Sequence, residues 1–213
     1  MTEQIALRSP ELLHIEDAGR LCLGAEQEWY GETWQRRAGC GPTSAAHLLC
    51  YLARTRSCCQ ALIDSDCRYK EDFVALMEQV WQYVTPGKMG VNSIAMLREG
   101  ALRYGAERGV QLQARELAVA AKPLARRPDA EELTDFLAQA LADDLPVAFL
   151  NLASGAVANL DSWHWVTLVA LDIQNRTATM YDQGREAVIN IGLWLRTSVL
   201  GGGLVAIEPA AAG

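Results

Sequence analysis

The order in which two hydrophobic patterns follow one another constrains the fold of this chain most strongly. Up to about residue 105, apolar side chains recur at helical spacing, as at Ala45, Leu48 and Leu52. From about residue 106 onwards, short β-favouring runs separated by turn residues become frequent. Helices followed by strands with short connections predict an α+β fold with an antiparallel sheet. We expect one domain over residues 1–213, with a helical lobe at about 1–105 packed on a mainly sheet lobe at about 106–213.

The same patterns predict the individual elements. Helices are expected at 41–52, 71–84, 92–104 and 130–142. Strands are expected at 110–114, 145–152, 164–171, 177–182 and 204–207. The first 28 residues are weakly patterned and indicate an irregular arm or a short helix and strand, and residues 118–129 indicate a surface connection.

Composition and charge argue against several classes of partner. The 213 residues are 50% hydrophobic, which is enough for a substantial core. A net charge of −7 and basic runs of at most two residues argue against nucleic acid. No segment approaches the roughly 18 apolar residues of a membrane helix, and residues 1–10 lack the pattern of an export signal. We expect a cytoplasmic protein with no membrane partner, and the oligomeric state stays open.

Six cysteines fall in the first third of the chain, at positions 22, 40, 50, 58, 59 and 67. A chain of this length does not need disulfide staples, so we expect reduced thiols, although the even count also allows disulfides. A metal site built from Cys50, Cys58, Cys59 and Cys67 is the weaker interpretation, because no pair has C-x2-C spacing and adjacent cysteines chelate poorly. We expect neither a metal nor a cofactor.

Cys40 is the cysteine whose surroundings indicate chemistry. It stands between two glycines where a helix is expected to begin, and Pro42 suits the first helical turn because the N–H it lacks would have no partner there. The partial positive charge of a helix N-terminus favours a thiolate over a thiol. A nucleophilic cysteine also needs a base, a group that orients the base, and donors for the oxyanion that forms on attack.

Three histidines are candidates for the base. His47 lies about two helical turns from Cys40, too far for a hydrogen bond, and is expected to be a core or helix-surface residue. His14 lies in the weakly patterned arm. His164 opens a strand after a polar turn, and Asp182 ends the next strand. If the two strands pair antiparallel, Asp182 lies beside His164 and can orient it. Taken alone, His164 is better explained as a strand-capping histidine and Asp182 as an ordinary turn residue.

Other side chains near these positions have two interpretations. Gln35 either donates its amide N–H to the oxyanion, together with the backbone N–H of Cys40, or is a solvated loop residue. Trp34, Trp163 and Trp165 either wall the cleft or fill the core, and we assign them no chemistry.

These blocks resemble a known family. Gln35, the run from Cys40 to Ala46, the run from His164 to Val169, and the pair Tyr181 and Asp182 are similar to the papain-like cysteine peptidases. The resemblance is closest to the bacterial peptidase domains that remove double-glycine leader peptides, and to their relatives. It covers about residues 35–182 and implies a papain-like fold with Gln35, Cys40, His164 and Asp182 as oxyanion donor, nucleophile, base and orienting carboxylate.

Three features depart from that family. Gln35 is one residue closer to the cysteine than is usual. Gly-Pro after Cys40 excludes papain's own close relatives. The span from Cys40 to His164 is longer than in compact leader peptidases, with residues 118–129 as a candidate insertion.

The leading hypothesis is a cysteine peptidase that cleaves a peptide amide bond through an acyl-enzyme. Two alternatives remain: an acyltransferase or amidase that acts on a small thioester or amide, and a non-catalytic papain-like module that binds a peptide.

Overall fold

The computed structural model describes residues 4–123 and 126–211. Positions 124 and 125 of the expected surface connection therefore lie outside the described residues. The α-helices are α1 (Thr33–Ala38), α2 (Cys40–Thr55), α3 (Lys70–Trp81), α4 (Ile94–Glu107), α5 (Ala130–Ala142) and α6 (Ile191–Thr197). The strands are β1 (Gln4–Ala6), β2 (His14–Asp17), β3 (Arg20–Leu23), β4 (Leu112–Val119), β5 (Val147–Asn151), β6 (His164–Asp172), β7 (Thr177–Asp182), β8 (Arg185–Asn190) and β9 (Gly202–Pro209).

The helices predicted from apolar spacing are confirmed, with small shifts at their ends. Helix α5 has the predicted bounds, because Asp129 caps it and forms a capping box with Glu132. Helix α2 begins at Cys40 itself, and every residue from Gly41 to Ala53 is buried. A helix that is buried on all sides forms the centre of a core.

A mostly antiparallel sheet dominates the second half of the chain, as predicted. Its strand order is β4-β9-β5-β6-β7-β8. Strand β1 also joins it, pairing antiparallel with the end of β6 that β5 does not reach. The fold is therefore mixed α+β.

The division into two lobes differs from the expectation in its details. Strands β1 to β3 lie in the first part of the chain, while α5 and α6 lie in the second. Strand β8 was not predicted, because its residues are mostly exposed and a strand with little burial carries little apolar alternation. The short helix α6, which Asn190 caps, was not predicted either.

The buried apolar side chains of both halves form one continuous cluster that runs from Leu7 to Ile207. Helix α2 packs against β6 within this cluster. Cys40 begins α2 and His164 begins β6, so this packing brings the starts of the two elements together. Among the described residues, the structure contains no helix with the length and apolar character to cross a membrane.

Candidate active site

The position of Cys40 depends on two glycines that pack against neighbouring side chains. A Cβ built on Gly39 would lie 2.5 Å from the ring of Tyr30, and one on Gly41 would lie 2.7 Å from the Cβ of Val91. Both distances are too short for any larger residue to fit without displacement. The glycines allow the start of α2 to approach its surroundings closely. The Cys40 thiol is free and partly exposed.

His164 and Asp182 lie beside each other, as predicted from antiparallel pairing. Strands β6 and β7 pair antiparallel, with Thr167 opposite Tyr181. The Nε2 atom of His164 lies 2.8 Å from Oδ1 of Asp182. The side chains are 10% and 21% exposed, so the pair is largely shielded from water.

The electrostatics of His164 favour its protonated form. Burial by itself lowers the pKa of His164, but hydrogen bonds with Asp182 and Cys40 and the negative charges of both groups raise it to about 10. Because Nε2 contacts Asp182, Nδ1 is the ring nitrogen left to face Cys40.

These three side chains share a cavity of about 10 Å³ with Gln27, His47 and Gln183. A volume of this size accommodates about one water-sized group. Cys40 also borders a larger groove of about 270 Å³ on its other side.

Gln35 is not brought to this cavity. It lies on α1, where its Oε1 accepts a hydrogen bond from the backbone N–H of Glu32 and closes a capping box. Its Nε2 donates to Oε2 of Glu78 at 2.6 Å. The amide of Gln35 is thus engaged in fixing α1, which directly precedes Cys40.

Gln27 lines the cavity instead, a residue that the sequence analysis did not consider. Its Nε2 donates to the carbonyl oxygen of Arg36 at 2.7 Å, and its Oε1 is buried with no hydrogen-bond partner among the described residues. No local sequence signal marks Gln27, because it lies in a short 3-10 turn, Gln27–Trp29, far ahead of the cysteine.

His47 is a core residue, as expected, and it lies beneath the site. Its Nε2 accepts a hydrogen bond from the backbone N–H of Ala25 at 2.8 Å, and its Nδ1 lies 2.9 Å from Oγ1 of Thr167. Burial lowers the pKa of His47 to about 4. His47 is therefore neutral at physiological pH. His14 contacts Tyr181 outside the cavity, with its Nε2 3.0 Å from the hydroxyl.

The segment that leads into His164 is anchored through Asn151, which lies directly opposite His164 in the pairing of β5 with β6. Its side-chain nitrogen donates to the carbonyl oxygen of Asp161 at 2.6 Å, and its side-chain oxygen accepts from Trp194 at 2.7 Å. Asn151 is fully buried, and its side-chain hydrogen bonds hold the turn that precedes His164 in place.

All three tryptophans line a cavity at the site, and Trp165 also belongs to the core. Trp165 is buried and donates its indole N–H to the carbonyl oxygen of Val91 at 2.6 Å. Trp34 and Trp163 are about half exposed, at 48% and 47%, and both line the larger groove. Trp163 has a left-handed backbone with a φ of 59°, an uncommon conformation for a residue other than glycine.

All six cysteines are free in the structure. A hydrogen bond with Cys67 and burial raise the pKa of Cys50 well above its usual range, and the same bond lowers the pKa of Cys67. Burial and neighbouring Cys58 raise the pKa of Cys59 to about 12. Within residues 4–123 and 126–211, no group of three or more histidine, cysteine or acidic side chains has the arrangement of a metal site.

Comparison with known proteins gives no family for this chain. No protein-family model and no curated protein matches its sequence. What the site does must therefore be argued from its own geometry.

Proposed function

We propose that the protein is a papain-like cysteine hydrolase that cleaves amide bonds in peptides, with Cys40, His164 and Asp182 as its catalytic triad. The observation that carries the proposal is the 2.8 Å contact between Nε2 of His164 and Asp182, which leaves Nδ1 for the Cys40 thiol at the start of α2. An accessible thiol, a buried base and an orienting carboxylate are the three parts that nucleophilic catalysis by cysteine requires.

The first half of the reaction transfers the acyl group to the enzyme. With the proton already on Nδ1 of His164, the Cys40 sulfur attacks the carbonyl carbon of the substrate as a thiolate. When the tetrahedral intermediate collapses, the C–N bond breaks and His164 returns the proton to the departing amine. Asp182 accepts the Nε2–H hydrogen bond throughout and stabilises the imidazolium.

The second half releases the acyl group. His164 takes a proton from a water molecule, the resulting hydroxide attacks the thioester carbon, and the C–S bond breaks. The proton stays on His164 beside the Cys40 sulfur, the carboxylic acid departs, and the resting enzyme is regenerated. The same acyl-enzyme would react with an amine if one were bound, so acyl transfer is the alternative outcome.

The oxyanion needs hydrogen-bond donors near the sulfur. We assign the first to the backbone N–H of Cys40, and the second to the side-chain amide of Gln27, which lines the same cavity. One N–H of that amide bonds to the carbonyl oxygen of Arg36, and we assign the second to the oxyanion.

Selective alkylation of the cysteines tests this proposal. We expect iodoacetamide at mildly acidic pH to label Cys40 ahead of the exposed Cys58, because Cys40 shares a cavity with His164 and Cys58 does not. His164→Ala is expected to slow labelling of Cys40 and leave Cys58 unchanged, so Cys58 serves as the internal control. Equal labelling of both thiols, with no effect of His164→Ala, contradicts a working nucleophile.

Product analysis then separates the chemistries. Incubation with a mixed peptide library, followed by mass spectrometry, should reveal new carboxyl termini that are absent with Cys40→Ala. New acyl-amine products would indicate the transferase. A reactive Cys40 with neither kind of product would favour the non-catalytic peptide-binding module.

A further inference from the structure

The groove beside Cys40 has mainly apolar walls. Its volume is about 270 Å³, below the about 300–1,000 Å³ typical of pockets that enclose a whole drug-sized ligand. The apolar side chains that line it include Trp34, Met89, Val91, Leu150, Leu152 and Trp163. Trp34, Met89 and Trp163 are among the most exposed large hydrophobic residues of the described chain. A groove of this size and character suits one large apolar side chain.

The wall that carries Met89 is a tight turn fixed at both ends. The backbones of Gly87 and Gly90 exchange two hydrogen bonds of 3.1 and 3.0 Å, so Lys88 and Met89 form the tip. Gly90 has a φ of 71°, which glycine adopts without strain. Next to it, the carbonyl oxygen of Val91 is held by Trp165. The groove is therefore largely formed before any ligand binds.

Two positively charged side chains line this groove and have no partner among the described residues. Arg37 and Lys88 both line it and are exposed, and neither side chain forms a hydrogen bond or ion pair with any described residue. None of the groove-lining residues is acidic. In a protein of net charge −7, two unpaired cations beside an apolar groove are complementary to an anionic group on the ligand.

A second cavity, of about 410 Å³, meets the site at Asp182 instead of Cys40. Besides Asp182 it is lined by the acidic residues Glu26, Glu28, Asp161 and Glu186, with Arg20 and Arg185 as its basic residues. Arg20 is already paired with Glu26. An anionic ligand group is therefore better accommodated by the groove at Cys40.

The reaction chemistry indicates which part of the substrate lies beside Cys40 and which part lies beside His164. The acyl part becomes bonded to Cys40, while the leaving amine takes its proton from His164. The groove contains Cys40 among its lining residues but does not contain His164.

We infer that this groove binds the acyl side of the substrate: a peptide with a large aromatic or aliphatic side chain next to the attacked carbonyl and a carboxylate on the preceding residue. The inference rests on the proposed function for the attack itself, and it adds the substrate class. The apolar side chain enters between Trp34 and Trp163, and the carboxylate pairs with Arg37 and Lys88.

Three matched electrophilic probes test the inference. They are acetyl-Glu-Phe, acetyl-Lys-Phe and acetyl-Glu-Gly, each ending in the same fluoromethyl ketone, which loses fluoride as the Cys40 sulfur forms a C–S bond. We expect acetyl-Glu-Phe to label Cys40 at least about tenfold faster than either of the others, which corresponds to about 1.4 kcal/mol. Equal rates for the three probes would overturn the inference.

Charge reversal at the groove sharpens the test. In Arg37→Glu/Lys88→Glu the preference for Glu over Lys should invert, whereas Trp34→Ala should mainly reduce the preference for Phe over Gly. Arg8→Glu is the control, because Arg8 is an exposed arginine that does not line the groove. An unchanged preference in the double variant contradicts the assignment.

Failure of the inference can be distinguished from failure of the proposed function. Rapid iodoacetamide labelling of Cys40 without discrimination among the probes would overturn the substrate class alone. If Cys40 proves unreactive, binding of acetyl-Glu-Phe-amide and acetyl-Lys-Phe-amide to Cys40→Ser is measured by tryptophan fluorescence. Tighter binding of the Glu peptide, lost in the double variant, supports the groove; equal binding overturns it.

Discussion

His47 on α2 is hydrogen-bonded to Thr167 on β6, with Nδ1 and Oγ1 2.9 Å apart. The same helix begins with Cys40 and the same strand begins with His164. Because Nε2 of His47 accepts from the backbone of Ala25, the proton of the neutral ring lies on Nδ1 and is donated to Thr167. A buried neutral histidine thus links the element that carries the thiol to the element that carries the imidazole.

This link predicts an acid-sensitive stability. The pKa of His47 is lowered to about 4 in the folded protein, while the unfolded chain has an ordinary value near 6.5. The contribution of neutral His47 is complete above about pH 6.5 and is lost as the pH falls towards 4, because the unfolded state then binds the extra proton. The loss amounts to up to about 3 kcal/mol.

His47→Gln should remove this component of the pH dependence. The variant should also lose about 1–3 kcal/mol of unfolding free energy at neutral pH, because it leaves buried polar groups imperfectly paired. Urea denaturation at several pH values between 7 and 4.5 measures both quantities. The comparison is between variant and wild type, since the carboxylates titrate in both. Parallel curves for the two proteins would contradict the assignment of this component to His47.

The pKa of His164, which is paired with Asp182, is shifted in the opposite direction from that of His47. His164 should remain protonated until the pH approaches about 10, because Asp182 and Cys40 raise its pKa. Asp182→Asn keeps an oxygen acceptor but removes the negative charge, so the pKa of His164 should fall by more than one unit. If activity falls at alkaline pH because His164 loses its proton, the midpoint of that fall should lie at a lower pH in Asp182→Asn.

The chain has only three histidines, so NMR of 15N-labelled histidine resolves these titrations without an activity assay. At pH 7 we expect one imidazolium, His164, and one fully neutral ring, His47. A midpoint near 6.5 for His164, unchanged in Asp182→Asn, would contradict the prediction.

The two glutamines should differ in their effect on activity. Gln27→Ala should lower kcat by about 10²–10³-fold with little change in KM, because an oxyanion donor acts in the transition state. Gln35→Ala should keep most of the activity and lose up to about 1 kcal/mol of stability, because it removes a capping-box interaction on α1. Circular dichroism of both variants checks the fold, and a larger activity loss in Gln35→Ala would reverse the assignment.

Local patterns predicted the longer helices, most strands of the main sheet and the candidate residues on them. Apolar spacing predicts α2, and a helix start framed by glycines draws attention to Cys40. Strand order along the chain places Asp182 beside His164, because antiparallel neighbours joined by a short turn have only one simple pairing. Edge strand β8 carried too little buried surface to leave a pattern.

The sequence by itself determined the class of fold and the three chemical groups of the candidate site, since these depend on periodicity and on nearby strands. Only the tertiary structure decided which glutamine reaches the cavity, because Gln27 and Cys40 come together through the packing of separate segments. The role of His47 was decided in the same way: its partners Ala25 and Thr167 are distant in sequence and meet only when α2 is buried against β6. Spacing along a chain constrains neighbours within an element, but packing chooses the partners between elements.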